Sequence, residues 1–348
     1  MSAGAEDVRW VEGPLAVPDT PEDFLRELGG PAVLHIPGAD RTRTRALVTL
    51  LHGDEPSGLR AVHGWLRSGP VPAVNLLVFL GAVEAALEGP GFRHRALPGR
   101  RDLNRCFDTP GEEGEARTAA RALALLRRVP LEALVDLHNT SGATPPCGLG
   151  SRADPALLAL ASLFAAHYVC TGAMGLGSLT EATGGHVPSV VVECGQRGCA
   201  EADRVAREGL ARFIGAEKLP DPGPLALYRD PVRVELVPGA GVAFAPGPVP
   251  GAELTLRADA DRFNLETLPP DTLLGWIRPG APWPLRMGAR PGGVRPACPF
   301  RVAPGGRLLT LRHFTPLMMT TDPESARADC LCYEVTPMSP PGPQQRAG

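Results

Sequence analysis

Between residues 31 and 215 the chain alternates short apolar runs with helix-like runs, and this constrains its fold more than any other feature. The apolar runs are "PAVLHI" (31–36), "ALVTLL" (46–51), "VNLLVFL" (74–80), "LEALVDL" (131–137), "HYVCT" (167–171) and "SVVVEC" (189–194). They are apolar nearly throughout, as expected of strands covered on both faces. Helix candidates lie between them: "PSGLRAVHGWLRS", "TPGEEGEARTAARALALLRRV", "DPALLALASLFAAH" and "AEADRVAREGLARFIGA". The second opens with Thr109 and Glu112 at capping-box spacing and ends on arginines, which suit a helix C-terminus. The reading is an α/β fold, a mixed, mostly parallel sheet flanked by helices.

Near residue 218 the pattern changes. After "KLPDPGPL" come short runs bounded by Gly and Pro, "VRVELV", "AELTLRA", "LLGWI" and "RLLTLRHF". They predict a smaller β-rich C-terminal domain. The expected organisation is an α/β domain over 1–218, a β-rich domain over 219–338 and a disordered tail over 339–348.

Composition narrows the partners. Formal net charge is -3, with 35 basic against 38 acidic residues, and no basic stripe carries interleaved aromatics, so nucleic acid is not an expected partner. No apolar stretch approaches a membrane span, and "MSAGAEDVRWVEGP" has no apolar signal core. The eight cysteines are spaced irregularly for a disulfide framework. These features predict a soluble, reduced, cytoplasmic protein with a small-molecule partner; a homo-oligomer is compatible with them.

Polar residues gather where three of the apolar runs end. The second run leads into "HGDEPSG", with His52 and Glu55. "VDLHNTSG" places His138 one residue beyond its run, and "VVVECGQ" places Glu193 at the end of its own. Ligands of open α/β sheets bind outside the carboxyl ends of the strands, so these four side chains can converge on one rim. Two His and one Glu form a known catalytic zinc set, and a second carboxylate beside the bound water would act as general base. Each fragment alone reads as a solvated loop or turn; three together at one sheet edge favour a metal site.

"HGDEPSG", "RDLNRCF", "DLHNTSG" and "VVVECG" resemble, in order and spacing, the four signatures of the succinylglutamate desuccinylase/aspartoacylase family, within the zinc-carboxypeptidase-like superfamily. The resemblance spans residues 52–195. It implies that His52, Glu55 and His138 bind one zinc ion. Glu193 would activate water and protonate the leaving amine. Asn104 and Arg105 would hold a substrate carboxylate, which a guanidinium meets bidentately. Arg95 would polarise the scissile carbonyl, with Arg93, Arg100 and Arg101 as rivals. Asp136 is either a turn residue or an orienting partner of a ligand histidine. Tyr333 is a further candidate to reach the site, whereas Cys194 reads as packing.

The implied activity is zinc-dependent hydrolysis of the amide bond of an N-acyl amino acid or related small amide. A carboxypeptidase for short peptides and a non-catalytic metal-binding module of the same fold are the alternatives. One departure bears on specificity. The family places a further arginine shortly before the catalytic glutamate, but "TGAMGLGSLTEATGGHVPSVVVE" has neither Lys nor Arg, and Thr180 and Glu181 stand there. Unless Arg152 or Arg197 swings in, a substrate with one carboxylate is expected to be preferred, with Glu181 adding repulsion if it faces the site.

Overall fold

A computed structural model describes residues 8–13, 15–109, 111–290 and 293–338; the expected disordered tail lies outside these. The chain divides into two units, one of Met1–Asn139, Pro146–Tyr168 and Ala173–Leu225, the other of Thr140–Pro145, Val169–Gly172 and Ala226–Gly348.

The first unit contains β1 (Arg9–Glu12), α1 (Pro21–Leu28), β2 (Ala32–Ile36), β3 (Asp40–Thr49), α2 (Ser57–Ser68), β4 (Val74–Leu80), α3 (Val83–Leu87) and α4 (Gly114–Leu126). It continues through β5 (Ala133–Thr140), β6 (Cys147–Gly150), α5 (Pro155–Ser162), β7 (His167–Cys170), α6 (Leu179–Thr183), β8 (Ser189–Gln196) and α7 (Ala200–Gly215), except that Thr140 of β5 and the last two residues of β7 fall to the second unit. The strand order is β1-β2-β4-β3-β5-β8-β6-β7. β3 pairs in parallel with β4 and β5, whereas β2–β4 and β6–β8 are antiparallel, so the sheet is mixed.

Burial explains the apolar runs. Every residue of β4 is buried, and so are Ala46–Thr49 of β3. A strand apolar on both pleat faces needs a layer on each side. On one side Ala119, Ala122 and Leu126 of α4 join Val33, Val48 and Phe79 in one core cluster. Full burial of the valine, leucine and phenylalanine side chains among them stabilises by about 1.5–3 kcal/mol each before entropy is counted.

Three expectations need correction. α4 starts at Gly114, after an extended Glu113 N-cap with no side-chain cap bond, so Thr109 and Glu112 form no capping box. The Thr109 hydroxyl is instead engaged with Asp108 and Arg101. β3 begins at Asp40, ahead of its apolar run, because Asp40, Thr44 and Arg45 pair with β4 around an irregularity that leaves Arg41 and Thr42 exposed. β5 runs on to Thr140, so His138 lies inside the strand and not past its end.

The second unit is β-rich. It holds β9 (Ala226–Leu236), β10 (Val242–Phe244), β11 (Leu254–Leu256), β12 (Leu273–Ile277), β13 (Leu285–Met287), β14 (Phe300–Ala303), β15 (Arg307–Thr310), β16 (Pro316–Leu317), α8 (Pro323–Ala328) and β17 (Cys332–Pro337). One five-stranded sheet has the order β10-β11-β12-β15-β14. β9 pairs antiparallel with β17 and β13, and β17 with β16. Val234, Leu254, Leu308 and Phe314 are among its fully buried core residues. Tyr333 lies on β17, with the Arg233 guanidinium 5.9 Å from its ring centroid.

Candidate metal centre

The whole of "LHGDEPSG" is buried, which excludes the solvated-loop reading of this motif. After β3 the chain turns through Leu50, held at φ 59°, and carries His52 and Glu55 under α2. Both glycines of the motif are forced by close approach. A Cβ on Gly53 would lie 2.6 Å from the Ala86 nitrogen, and one on Gly58 would lie 2.1 Å from Thr49 Oγ1. The turn therefore packs flush against the sheet end, where β3 and β5 are neighbours.

Two histidines converge on one carboxylate there. His52 Nδ1 lies 2.8 Å from Glu55 Oε1, and His138 Nδ1 lies 2.7 Å from Glu55 Oε2. The ring centroids are 4.9 Å apart. One ligand atom from each of the three residues falls within 4.8 Å of the others. All three side chains are at least nine-tenths buried.

The outward-facing ring nitrogens are anchored. His52 Nε2 is 3.1 Å from Asp102 Oδ1, and His138 Nε2 is 3.0 Å from Asp136 Oδ2. At His52 the hydrogen-bonded carboxylate favours the proton on Nε2 and leaves Nδ1 for a cation; at His138 the Asp136 carboxylate lies within ion-pair range of Nε2. Burial opposes charge on Glu55, but the two imidazoles outweigh it and hold the carboxyl well below its usual range. Burial also opposes protonation of His138, which Asp136 and Glu55 overcome, raising its pKa well above normal. The positive charge that His138 brings to this carboxylate is what a dication would replace. The donor set, two imidazoles and one carboxylate with anchored outer nitrogens, fits zinc.

β8 is the next strand after β5. The Leu134 N–H donates to the Pro188 carbonyl (2.9 Å) and Asn139 Nδ2 to the Gly195 carbonyl (3.1 Å), so the two segments run in the same sense. Glu193 is thereby placed beside His138. Its Oε2 is buried and has no hydrogen-bond partner. Burial, with Glu55 adding to it, pushes Glu193 up to about 7, against the pull of His138, His52 and Arg95. A partly buried carboxylate whose inner oxygen has no hydrogen-bond partner among the described residues, near neutrality, is suited to exchange a proton.

Of the four arginines in the 93–101 loop, Arg95 makes contacts at the cluster. Its Nε and Nη2 meet Asp102 Oδ2 at 3.0 and 2.9 Å, and Nη1 is 3.4 Å from Glu55 Oε1. Arg100 pairs with Glu115, and Arg101 reaches the Arg105 carbonyl and Thr109. The Asn104 side chain accepts the Leu179 N–H (3.0 Å) and sits 3.4 Å from His138 Nε2, so it is tied into the cluster wall. Arg105 donates to the Asn104 carbonyl (2.8 Å) and has no carboxylate partner among the described residues. Cys194 is fully buried, and burial pushes its thiol well up, which fits packing.

Asp102 escaped the sequence reading, although it stands in "RDLNRCF". Its signal was available: a carboxylate inside a motif, with a ligand histidine in need of an outer partner. His52 and Arg95 overcome the effect of its burial and hold it far below the usual carboxylate range.

The sequence profile of the succinylglutamate desuccinylase/aspartoacylase catalytic domain matches residues 41–213, the segment that carries the cluster. The chain belongs to the succinylglutamate desuccinylase/aspartoacylase family. Solved structures agree on the fold. A succinylglutamate desuccinylase/aspartoacylase from Rhodobacter sphaeroides superposes with a TM-score of 0.57 at 19% identity, covering 88% of each chain. The ectoine utilization protein EutE (DoeB) from Ruegeria pomeroyi gives 0.54 at 16%, again covering 88% of each. Murine aminoacylase 3 gives 0.50 at 16%, covering 86% of this chain and 97% of its own. Among curated proteins none matches the sequence. No helix among the described residues is long and apolar enough to cross a membrane.

Proposed function

We propose that this family member is a zinc-dependent amidohydrolase that cleaves N-acyl amino acids or related small amides. The observation that carries the reading is the buried pair of imidazoles sharing Glu55, beside a second carboxylate with an unpartnered oxygen. His52, Glu55 and His138 would hold the metal. Bound there, zinc supplies a Lewis acid that makes water acidic near pH 7 and polarises a carbonyl. Glu193 takes a proton from the water that attacks the amide carbon, then delivers it to the departing nitrogen. The C–N bond breaks, and a carboxylate and an amine leave. Arg95 supplies positive charge to the carbonyl oxygen as it becomes anionic, an effect worth about 3–4 kcal/mol for a well-placed donor. Arg105, with Asn104 beside it, receives the substrate carboxylate.

The structure bears on substrate charge. Glu181 accepts N–H bonds from Met174, Gly175, Leu176 and Ser178, so its charge is spent on holding that loop. Repulsion from Glu181 is therefore dropped as a reason to exclude dianions. Arg197 is ion-paired with buried Asp54, next to Glu55, and Arg152 with Asp154. Both rival cations thus have carboxylate partners, which supports a preference for substrates with one carboxylate.

Zinc-loaded protein should be offered N-acetyl amino acids and dipeptides side by side. Release of acetate from the former is expected. Faster cleavage of dipeptides would make it a carboxypeptidase, and metal binding with no hydrolysis at all would leave a binding module.

A further inference from the structure

We propose that Asn139 is a positioning residue that sets the strand of the base against the loop of the metal ligands. The role rests on the reading of Glu55 as ligand and Glu193 as base. Asn139 follows His138 on β5 and is 5% exposed. Its backbone N–H donates to Glu55 Oε2 (3.1 Å). Its side chain ties two other segments together. Oδ1 accepts the Ser57 N–H (3.1 Å), while Nδ2 donates to Ser57 Oγ (3.0 Å) and to the Gly195 carbonyl (3.1 Å). Ser57 lies two residues after Glu55, and Gly195 two residues after Glu193. One side-chain amide thus spans the ligand loop and the base strand at matched distances along the chain.

Its orientation is reinforced from further out. Ser57 Oγ donates its single proton to Asp203 Oδ1 on α7 (2.7 Å), and Asp203 Oδ2 takes a bond from Arg60 Nη1 (2.9 Å). With that proton spent, the hydroxyl offers Asn139 only a lone pair, so the amide must present its NH₂ to Ser57 Oγ and Gly195. Asp203 therefore reinforces the amide orientation that the Ser57 N–H and the Gly195 carbonyl already require. At Gly195, two residues after Glu193, the backbone adopts φ 117°, which a side chain rarely allows.

The test compares Asn139→Asp and Asp203→Ala with the parent in the full zinc-loaded chain. Asn139→Asp is isosteric but turns an acceptor on the Gly195 carbonyl. Asp203→Ala lies away from the ligands and serves if the first variant does not fold. The expected result is kcat lower by about ten- to a hundredfold for Asn139→Asp, as for a misplacement of about 1 Å, with KM unchanged and zinc still one equivalent. Asp203→Ala should show the same pattern more weakly, and the double variant should be less than additive. Visible spectra of the cobalt-substituted proteins should match the parent, while crystal structures should show the Gly195 carbonyl displaced from β5. Unchanged kcat overturns the proposal, as does a cobalt spectrum or zinc content that changes in step with activity. If the parent hydrolyses no N-acyl amino acid, the functional reading falls. The Gly195 displacement at constant cobalt spectrum still decides the positioning role, and an undisplaced carbonyl overturns it.

Discussion

Replacing Asp102 with asparagine removes a charge that two parts of the centre share. Oδ1 anchors His52 Nε2 at 3.1 Å, and Oδ2 meets the Arg95 guanidinium at 2.9–3.0 Å. Asparagine keeps the shape, and its oxygen can still accept the Asn104 N–H that Asp102 Oδ1 now takes at 2.8 Å. The short turn Leu103–Arg105 should therefore survive. The lost element is the anion that makes His52 more basic toward a metal. Removal of such an outer partner typically costs about 10- to 100-fold in metal affinity, or roughly 1.4–2.8 kcal/mol. The Asp102 side chain is 20% exposed, so solvent screening places the loss near the lower end. Asp136→Asn should cost at least as much, because the Asp136 side chain is 1% exposed and its charge is less screened. Zinc competition against a colorimetric chelator at pH 7 measures both variants. An Asp102→Asn affinity within twofold of the parent would refute the claim that this carboxylate tunes His52.

Glu193→Gln should retain zinc while losing about 10²- to 10⁴-fold in turnover, the usual general-base contribution; near-normal turnover, measured at saturating substrate, would sink the role. For the parent, the base works only when deprotonated, so kcat/KM should rise with pH. Burial pushes Glu193 up to about 7, and a bound dication would pull it lower, so the acid limb should lie below pH 7; a rate that falls through that window would contradict it. N-acetylaspartate should be a poorer substrate than N-acetyl derivatives of neutral amino acids, by roughly ten- to a hundredfold if one charged hydrogen bond of about 1.5–3 kcal/mol is missing; a clear preference for the dianion in kcat/KM would show a second cation at work. Arg45→Met should destabilise the fold by about 1–3 kcal/mol, since the buried guanidinium donates to the Phe213 and Ala216 carbonyls at the end of α7 as well as to the partly exposed Glu132; an unchanged urea midpoint would contradict this.

The candidate centre was legible because its chemistry sits in short motifs at or near the carboxyl-terminal parts of three strands. His52, Glu55 and His138 come together as their spacing suggested, and Glu193 joins them because β8 adds beside β5. Apolar runs marked β2, β4 and β8 well, since a strand buried on both faces has little other composition open to it. β1 and β6 were hidden. "RWVE" is half exposed, and "CGLG" contains glycines needed for packing, a Cβ on Gly148 lying 2.5 Å from Ala161 Cβ. The outer carboxylates were less legible. Asp136 read equally well as a turn residue, and Asp102 is separated from His52 by fifty residues of chain that only the fold folds back. Long-range polar pairing leaves no periodicity in a sequence, and the Asn139–Ser57–Asp203 bonds are of this kind.

The central claim is that His52, Glu55 and His138 form a single zinc site, and equilibrium dialysis against zinc tests it most directly. The full chain should bind one equivalent tightly, and the double variant His52→Ala/His138→Ala, still folded by circular dichroism, should bind none at the same free zinc concentration. One tightly bound equivalent in the double variant would contradict the account.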